Sequence, residues 1–115
     1  MADCVFCSIV GEKRKAGEVG RDFDVIDFEP LNPVVPGHRL FVPTVHVGDA
    51  ADRPYITGIA ARAAAQYAKE QGTPGNLITS IGEEATQSVF HLHWHWVPRQ
   101  TEDGLHLPWT NQVKS

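Results

Sequence analysis

At 115 residues the chain is long enough for one hydrophobic core and too short for two, so a single domain over residues 1–115 is expected. Its 10 basic and 14 acidic residues give a net charge of −4, which excludes the basic surface that a nucleic-acid polymer or an anionic membrane would need. No run approaches the roughly 20 apolar residues of a membrane span, and the N-terminus lacks the pattern of a secretion signal, so we expect a cytoplasmic protein.

The first part of the chain predicts one short helix and two strands. Mixed apolar and polar residues over 4–11 favour the helix, and the charge and glycine that follow over 11–17 predict a loop. Residues 22–28 alternate polar with apolar side chains, as a half-buried strand does. Two prolines and a glycine predict an ordered loop over 31–37, which leads to a further strand over 38–43.

One long helix is predicted over residues 52–71. Asp52 can cap the free amide groups at its N-terminus, and Gly72 gives a stop signal at its C-terminus. Small side chains on one stripe would let this helix lie close to a sheet face that carries Trp94 and Trp96. The stripe at helical spacing consists of Ile56, Ile59, Ala60, Ala63 and Tyr67.

A histidine-rich strand is predicted over residues 87–99, after a strand over 76–81 and a loop over 82–86. Alternate side chains of a strand point to opposite faces, whereas residues two apart lie about 200° round a helix and would scatter. One face therefore carries His91, His93 and His95, and the other carries Leu92, Trp94 and Trp96. Aligned imidazoles suit phosphorus chemistry or metal binding, because imidazole is a nucleophile, a proton carrier and a zinc ligand.

Strands mixed with one long helix indicate an α+β domain, with a core over about 4–99 and a tail over 100–115. The tail is apolar over residues 105–109, and a small domain with three tryptophans and an alanine-striped helix has more apolar surface than one core readily hides. We therefore predict a homodimer.

Residues 91–97, His-Leu-His-Trp-His-Trp-Val, resemble the HxHxHxx signature of the histidine-triad (HIT) family, in which x is apolar. Residues 36–46 and 4–10 resemble the family's upstream strand and N-terminal segment, so most of residues 4–99 is covered. The resemblance implies about five antiparallel strands with one long helix and a short N-terminal helix. It also implies a dimer in which the tail approaches the partner's active site.

The same resemblance implies a nucleotide-binding hydrolase or transferase with a nucleotidyl-histidine intermediate on His93. Ser88 then helps the leaving group to depart, His95 donates to the phosphate oxygens, and His38 supports the triad. Such donors are needed because phosphoryl transfer requires neutralised oxygens and a protonated leaving group. Without the family, the alternative for Ser88 is a strand-edge serine bonded to its own backbone, and the alternative for His38 is a loop-end histidine packed on Pro36.

Cys4 and Cys7 suggest a metal or redox pair more readily than a structural disulfide. Zinc prefers four nitrogen or sulfur ligands in a tetrahedron, and in relatives with the N-terminal CxxC the remaining ligands match His46 and His91. A structural zinc is therefore implied, against the alternative of two buried cysteines and an exposed histidine. In zinc-free relatives the first triad histidine joins a relay through the residue at His38, which leaves His91 two mutually exclusive roles.

A nucleoside needs an apolar slot for its base and a polar group for its ribose. The resemblance assigns the slot to residues that are otherwise ordinary core: Phe6, Ile9, Phe28 and Leu31. Glu29 lies next to the position of the family's ribose-binding acid, and Gln87 approaches the triad with Ser88. Ser80 replaces a longer amide side chain that contacts the phosphates in relatives.

Together these features predict cleavage of a purine nucleoside monophosphate derivative, such as a phosphoramidate. Glu83 and Glu84, in the loop before the triad, would discourage a long polyphosphate. One alternative is a dinucleoside polyphosphate hydrolase, because Pro98-Arg99 resembles that branch and Arg99 could reach a distal phosphate. The others are a purine-nucleotide-binding regulatory module with weak catalysis and a zinc-stabilised interaction domain, against which the intact triad argues.

Overall fold

The computed structural model describes residues 4–18 and 24–110. These residues form two α-helices, four strands and a 3₁₀ turn. In chain order the elements are α1 (Val5–Lys15), β1 (Val25–Phe28), β2 (Arg39–Pro43), α2 (Pro54–Gln71), β3 (Gly75–Ile78), the turn Glu83–Ala85 and β4 (Trp94–Pro98). The predicted α+β class is confirmed, with four strands in the described segments where about five were expected.

The strands form one antiparallel sheet in the order β1-β2-β4-β3. The strand that carries the end of the histidine motif is therefore central, and His95 is flanked by Leu40 of β2 and Ile78 of β3. A central strand is held by ladders on both sides, which gives its side chains a defined direction. The two neighbouring strands thus fix where His95 points.

The paired part of the histidine strand is shorter than predicted, because β4 begins only at Trp94. Pro43 ends β2 where the ladder would continue, and proline has no N–H to donate. Isolated hydrogen bonds hold the preceding residues instead. Leu92 N–H donates to the Val47 carbonyl at 2.7 Å, and Thr79 Oγ1 donates to the His93 carbonyl at 2.8 Å. Thr79 comes directly after the end of β3. That strand ends at Ile78, three residues before the predicted end at Ile81.

Helix α1 runs through residues 11–15, where a loop was predicted, so that prediction was wrong. One glycine inside a helix costs only about 1 kcal/mol, and Lys13, Arg14 and Lys15 stand in the last turn, where cations interact favourably with the helix dipole. The helix ends before Gly17, which has a left-handed φ of 77°. Buried Phe6 and Val10 anchor it.

Helix α2 has the predicted C-terminus but a different N-terminal cap. Gly72 adopts the left-handed conformation at φ 67°, and its N–H donates to the Ala68 carbonyl. Arg53, however, occupies the N-cap position without a side-chain cap, and the Asp52 carboxylate accepts from Gly48 N–H at 3.0 Å. Asp52 lies one residue too early to cap the helix, so it braces the preceding turn instead.

The two helices lie on opposite faces of the sheet. Ile56 and Ala60 of the predicted stripe are fully buried against the face of Trp94 and Trp96, and so is Ala64, which the predicted stripe did not include. The other face carries α1 and the histidines, above a core of Phe6, Val10, Ile26, Leu40 and Val42. The alternation predicted for the motif therefore holds, although part of it precedes the ladder. No helix in the described ranges combines the length and hydropathy of a membrane span.

Candidate active site

His91 faces a cluster of cysteines and is fully buried. Its Nε2 lies 2.8 Å from the Pro43 carbonyl oxygen, and since a carbonyl only accepts, Nε2 carries the proton. The lone pair on Nδ1 then points at Cys4 Sγ, 3.4 Å away, and at Cys7 Sγ, 3.5 Å away. This backbone bond orients His91 as second-layer contacts orient metal-binding histidines.

The fourth member of this cluster is His46, whose Nδ1 lies 3.2 Å from Cys7 Sγ. The four ligand atoms of Cys4, Cys7, His46 and His91 all lie within 4.8 Å of one another. Zinc bonds of about 2.0–2.3 Å place tetrahedral ligands roughly 3.3–3.8 Å apart, close to the distances found. Two thiols and two imidazole lone pairs thus suit one metal ion with a closed ligand set.

His93 projects from the extended segment before β4. Its Nδ1 lies 2.8 Å from the His91 carbonyl oxygen, so Nδ1 carries the proton and Nε2 keeps its lone pair. The edge of the Phe6 ring packs against this imidazole, with ring centroids 5.1 Å apart at an interplanar angle of 86°. The geometry therefore presents a neutral, oriented nitrogen nucleophile.

A hydrogen-bond chain sets the proton position of His95. Val34 N–H donates to His38 Nδ1 at 3.2 Å, so His38 is protonated on Nε2. That group donates to His95 Nδ1 at 2.9 Å and leaves the His95 proton on Nε2. The ring centroids of His93 and His95 lie 5.1 Å apart, so a nucleophilic nitrogen stands beside a nitrogen donor.

The three triad imidazoles and His38 are neutral near pH 7. Burial, with a smaller contribution from neighbouring imidazoles, lowers the pKa of His91 and of His95 to about 4. Burial also lowers the pKa of His93 and of His38. Protonated imidazoles repel one another at this distance, so four close imidazoles favour the neutral form. The neutral form is also the one that can attack, donate or bind metal.

The remaining predicted site residues are packed beside the triad, exposed on the surface or located in a cleft. Phe6, Ile9 and Phe28 pack together beside the triad, whereas Leu31 is 98% exposed, so its contact with a base stays a prediction. Ser88 and Glu29 are exposed and accessible to a ligand. Ser80 lines a cleft with His95.

The Gln87 side chain is buried and hydrogen-bonded within the protein. Its side chain is 4% exposed, its amide donates to the Gly48 and Val89 carbonyls at 2.8 and 3.1 Å, and its Oε1 accepts from Gly82 N–H at 2.8 Å. Both amide protons are therefore used inside the protein, and Gln87 shapes the loop that precedes the triad.

Arg99 lies at the end of the triad row, but its guanidinium is already bound. It contacts Asp103, the Asn76 amide and the Leu105 carbonyl. The expectation that Arg99 reaches a distal phosphate is corrected, because Asp103 neutralises its charge. None of these three partners was identified from the sequence, although an acid four residues after an arginine, followed by glycine, is typical of such a turn.

The model of the HIT domain matches residues 13–102 of this chain. The chain belongs to the HIT family. "Protein hit" of Bacillus subtilis is 30% identical over 114 residues, which covers 93% of this chain and 79% of that protein. The structure of a HIT family hydrolase from Clostridium thermocellum is 29% identical with a TM-score of 0.69, covering 89% of this chain and 95% of that one.

A Zn-bound histidine triad family protein from Mycobacterium smegmatis is 31% identical with a TM-score of 0.68, covering 91% of this chain and 81% of that one. The cluster of Cys4, Cys7, His46 and His91 fits the zinc-binding branch of the HIT family. The predicted membership is thus confirmed. The two roles left open for His91 are also separated, because His38 bonds to His95 and leaves His91 to the cysteines.

Proposed function

We propose that this HIT protein cleaves a purine nucleoside monophosphate derivative, of the phosphoramidate type, through a nucleotidyl intermediate on His93. The observation that carries the proposal is the pair of proton positions: His93 Nε2 keeps its lone pair, and the adjacent His95 Nε2 carries a proton. A nucleophile beside a donor is what attack on a phosphoryl centre requires.

In the proposed first step, His93 Nε2 attacks phosphorus and forms a P–N bond. The bond from phosphorus to the leaving amine breaks, and the amine departs with the bonding electron pair and a proton that exposed Ser88 relays from solvent water. His95 donates from Nε2 to a non-bridging oxygen as charge accumulates there. Water then attacks phosphorus and forms a P–O bond while the P–N bond to His93 breaks. The attacking water returns one proton to solvent, the nucleoside monophosphate is released, and His93 is neutral again.

The charges around the site favour a substrate with one phosphate. The four imidazoles are neutral, Arg99 is paired with Asp103, and exposed Glu83 and Glu84 stand in the loop before the triad. A polyphosphate chain would therefore meet acidic groups, and among the described residues that line the cleft beside His95 it would find no unpaired guanidinium. These features favour a phosphoramidate over a dinucleoside polyphosphate.

We also propose that Cys4, Cys7, His46 and His91 hold one structural zinc ion. Four protein ligands leave no open position, so the ion would supply stability and no Lewis-acid step. It would act on the site through His91, whose carbonyl oxygen accepts the Nδ1 proton of His93. The proposed metal ligand His91 and the proposed nucleophile His93 are thereby linked by a hydrogen bond between residues two positions apart.

The direct test compares wild type with His93→Ala on a purine nucleoside 5′-phosphoramidate and on a dinucleoside polyphosphate. Wild type should prefer the phosphoramidate, and the variant should lose roughly 10³-fold or more in kcat. Acid-labile nucleotide mass on the wild-type peptide that contains His93 would identify the intermediate.

Nucleotide binding serves as the control, because the variant should still bind the monophosphate. Tight binding by wild type without turnover would instead favour the regulatory module. A variant that retains a substantial part of the wild-type rate would contradict the role of His93.

A further inference from the structure

The proposed nucleophile lies just outside the paired part of the sheet. β4 begins at Trp94, one residue after His93, and β3 ends at Ile78, one residue before Thr79. The last pair of the ladder between these strands is Ile78 with His95. Regular strand pairing therefore orients His95, whereas the backbone of His93 depends on individual contacts from the segments around it.

The carbonyl of His93 is held by a threonine hydroxyl. Thr79 Oγ1 donates to the His93 carbonyl oxygen at 2.8 Å, and both residues are half-buried. Within a ladder such a carbonyl accepts from a backbone amide of the neighbouring strand, so here a side chain takes the place of that donor. The branched Cβ of threonine restricts χ1, and β3 fixes the backbone that leads to Thr79. The hydroxyl oxygen therefore has a defined position.

Two further hydrogen bonds hold the other side of the same residue. Leu92 N–H donates to the Val47 carbonyl at 2.7 Å, which fixes the backbone that enters His93. The imidazole Nδ1 of His93 donates to the His91 carbonyl at 2.8 Å, which limits rotation of the ring. The Thr79 hydroxyl fixes the peptide group that leaves His93. The nucleophile is thus held at its backbone on both sides and at its ring.

The direction of the His93 ring follows from the position of its backbone. Nε2 lies at the far end of the imidazole, so a small turn of the His93 backbone moves Nε2 by a larger distance. Misplacement of a reacting group by about 1 Å can cost about 100-fold in rate. A single neutral hydrogen bond, in contrast, changes the folding equilibrium by only about two- to tenfold. Loss of the Thr79 bond should therefore affect reactivity more than stability.

We propose that Thr79 is a positioning residue for the nucleophile, and that its hydroxyl, by holding the His93 carbonyl, sets the direction in which His93 Nε2 meets phosphorus. The inference rests on the proposed function. Thr79 acts through the backbone of His93 and is assigned no contact with substrate. Sequence pattern placed Thr79 inside a strand over 76–81 and gave its side chain no role.

The test compares Thr79→Val, which keeps the branched shape and removes the hydroxyl, with Thr79→Ser, which keeps the hydroxyl. Single-turnover formation of the nucleotidyl adduct on His93 is measured by mass with a purine nucleoside 5′-phosphoramidate. Thr79→Val should slow it about 10–100-fold, with the Kd for the nucleoside monophosphate within about twofold and Tm lowered by no more than about 4–8 °C. Thr79→Ser should stay within about threefold of wild type, and Thr73→Val, at an exposed position before β3, should change nothing.

The imidazole N–H resonance of His93 gives a second readout that needs no turnover. Thr79→Val should shift or broaden this resonance, whereas Thr79→Ser and Thr73→Val should leave it unchanged.

Equal adduct rates in wild type and Thr79→Val, or one common slowing in both Thr79 variants, would overturn the positioning role and leave the proposed function standing. If wild type forms no adduct, the proposed function fails. The resonance then decides the role of Thr79 alone, and an unchanged His93 signal in Thr79→Val would overturn it.

Discussion

At the scale of single residues, backbone groups decide what each histidine can do. Two carbonyls place the protons of His91 and His93, and one amide places that of His38, which in turn places that of His95. In the proposed function, three identical side chains thereby take different roles: a metal ligand, a nucleophile and a donor. The roles follow from hydrogen-bond polarity rather than from the residue type.

The lowered pKa values predict a characteristic pH dependence. The pKa of His95 is about 4 in the folded chain, against about 6.5 when unfolded. Between these values the unfolded chain binds more protons, so the free energy of unfolding should fall as the pH falls from about 6.5 towards 4. The acid limb of kcat/KM should likewise lie well below pH 6.5. Urea titrations and rate profiles from pH 4 to 8 measure both.

His95→Asn is the control for that titration, because it removes the group and should reduce the slope of stability against pH. An acid limb centred near pH 6.5 would show that the triad is not held in its neutral form.

At the scale of elements, the site is assembled where α1, the segment after β2 and the start of β4 meet. Cys4 and Cys7 belong to the first turn of α1, with Cys4 as its N-cap, whereas His46 follows β2 and His91 precedes β4. Three segments that are distant in sequence are joined by four side chains. A metal at this junction would therefore couple α1 to the nucleophile.

Removal of the metal should lower both stability and activity. We predict about one zinc per chain in purified protein, and a lower Tm after chelation or in Cys7→Ser, because metal-binding free energy is coupled to folding. Ser8→Ala, at the exposed neighbouring position of α1, should keep the metal and the Tm. Metal analysis with well under one zinc per chain, alongside full stability and activity, would refute the site.

The edge strand β3 shows how closely the elements pack. A Cβ at Gly75 would lie 2.2 Å from the ring of Trp96, which is 3% exposed. Gly75→Ala should therefore lower the free energy of unfolding by about 1–3 kcal/mol, the usual cost of overpacking. Gly58→Ala is the matched control, since nothing lies within 4 Å of its Cβ and it stands in α2, where alanine should stabilise by about 0.4–1 kcal/mol. Urea unfolding would reveal the two opposite signs, and equal effects would contradict this packing.

At the scale of the whole molecule, one edge of the sheet is open. β3 pairs only with β4 among the described strands, and Leu77, Ile78 and Tyr55 of the adjoining surface are 37%, 36% and 74% exposed. An unpaired edge next to apolar side chains is a ready surface for self-association. The tail, which the family resemblance directs to a partner's site, lies in this chain beside its own His95.

We therefore propose a homodimer formed through β3 and α2. Light scattering at micromolar concentration should give twice the chain mass, and a mass near 12.7 kDa would refute it. Leu77→Asp, which adds charge at the open edge, should shift the protein towards monomer, whereas Glu70→Gln at an exposed position near the end of α2 should not.

Much of the fold and of the candidate site could be read from local pattern. The alternation of His91, His93 and His95 with large apolar residues identified one chemical face and one packing face, whereas the family resemblance, and not local pattern, assigned His46 to the cysteine pair. Proline, glycine and helical spacing located α2 and its end at Gly72. These features are properties of neighbouring residues, so periodicity and local backbone preference are enough to predict them.

Only the tertiary structure decided how those residues are used. Three features depend on which polar groups come within about 3 Å of one another after folding. His38 bonds to His95, the Gln87 amide bonds within its own loop region, and Arg99 is neutralised by Asp103 while it also donates to Asn76. The early end of the β4 ladder likewise depends on Pro43 lying opposite it, 49 positions away from Leu92. Sequence pattern specifies which groups a segment offers, whereas hydrogen-bond partners, pKa values and charge pairing arise from contacts between segments that the pattern does not encode.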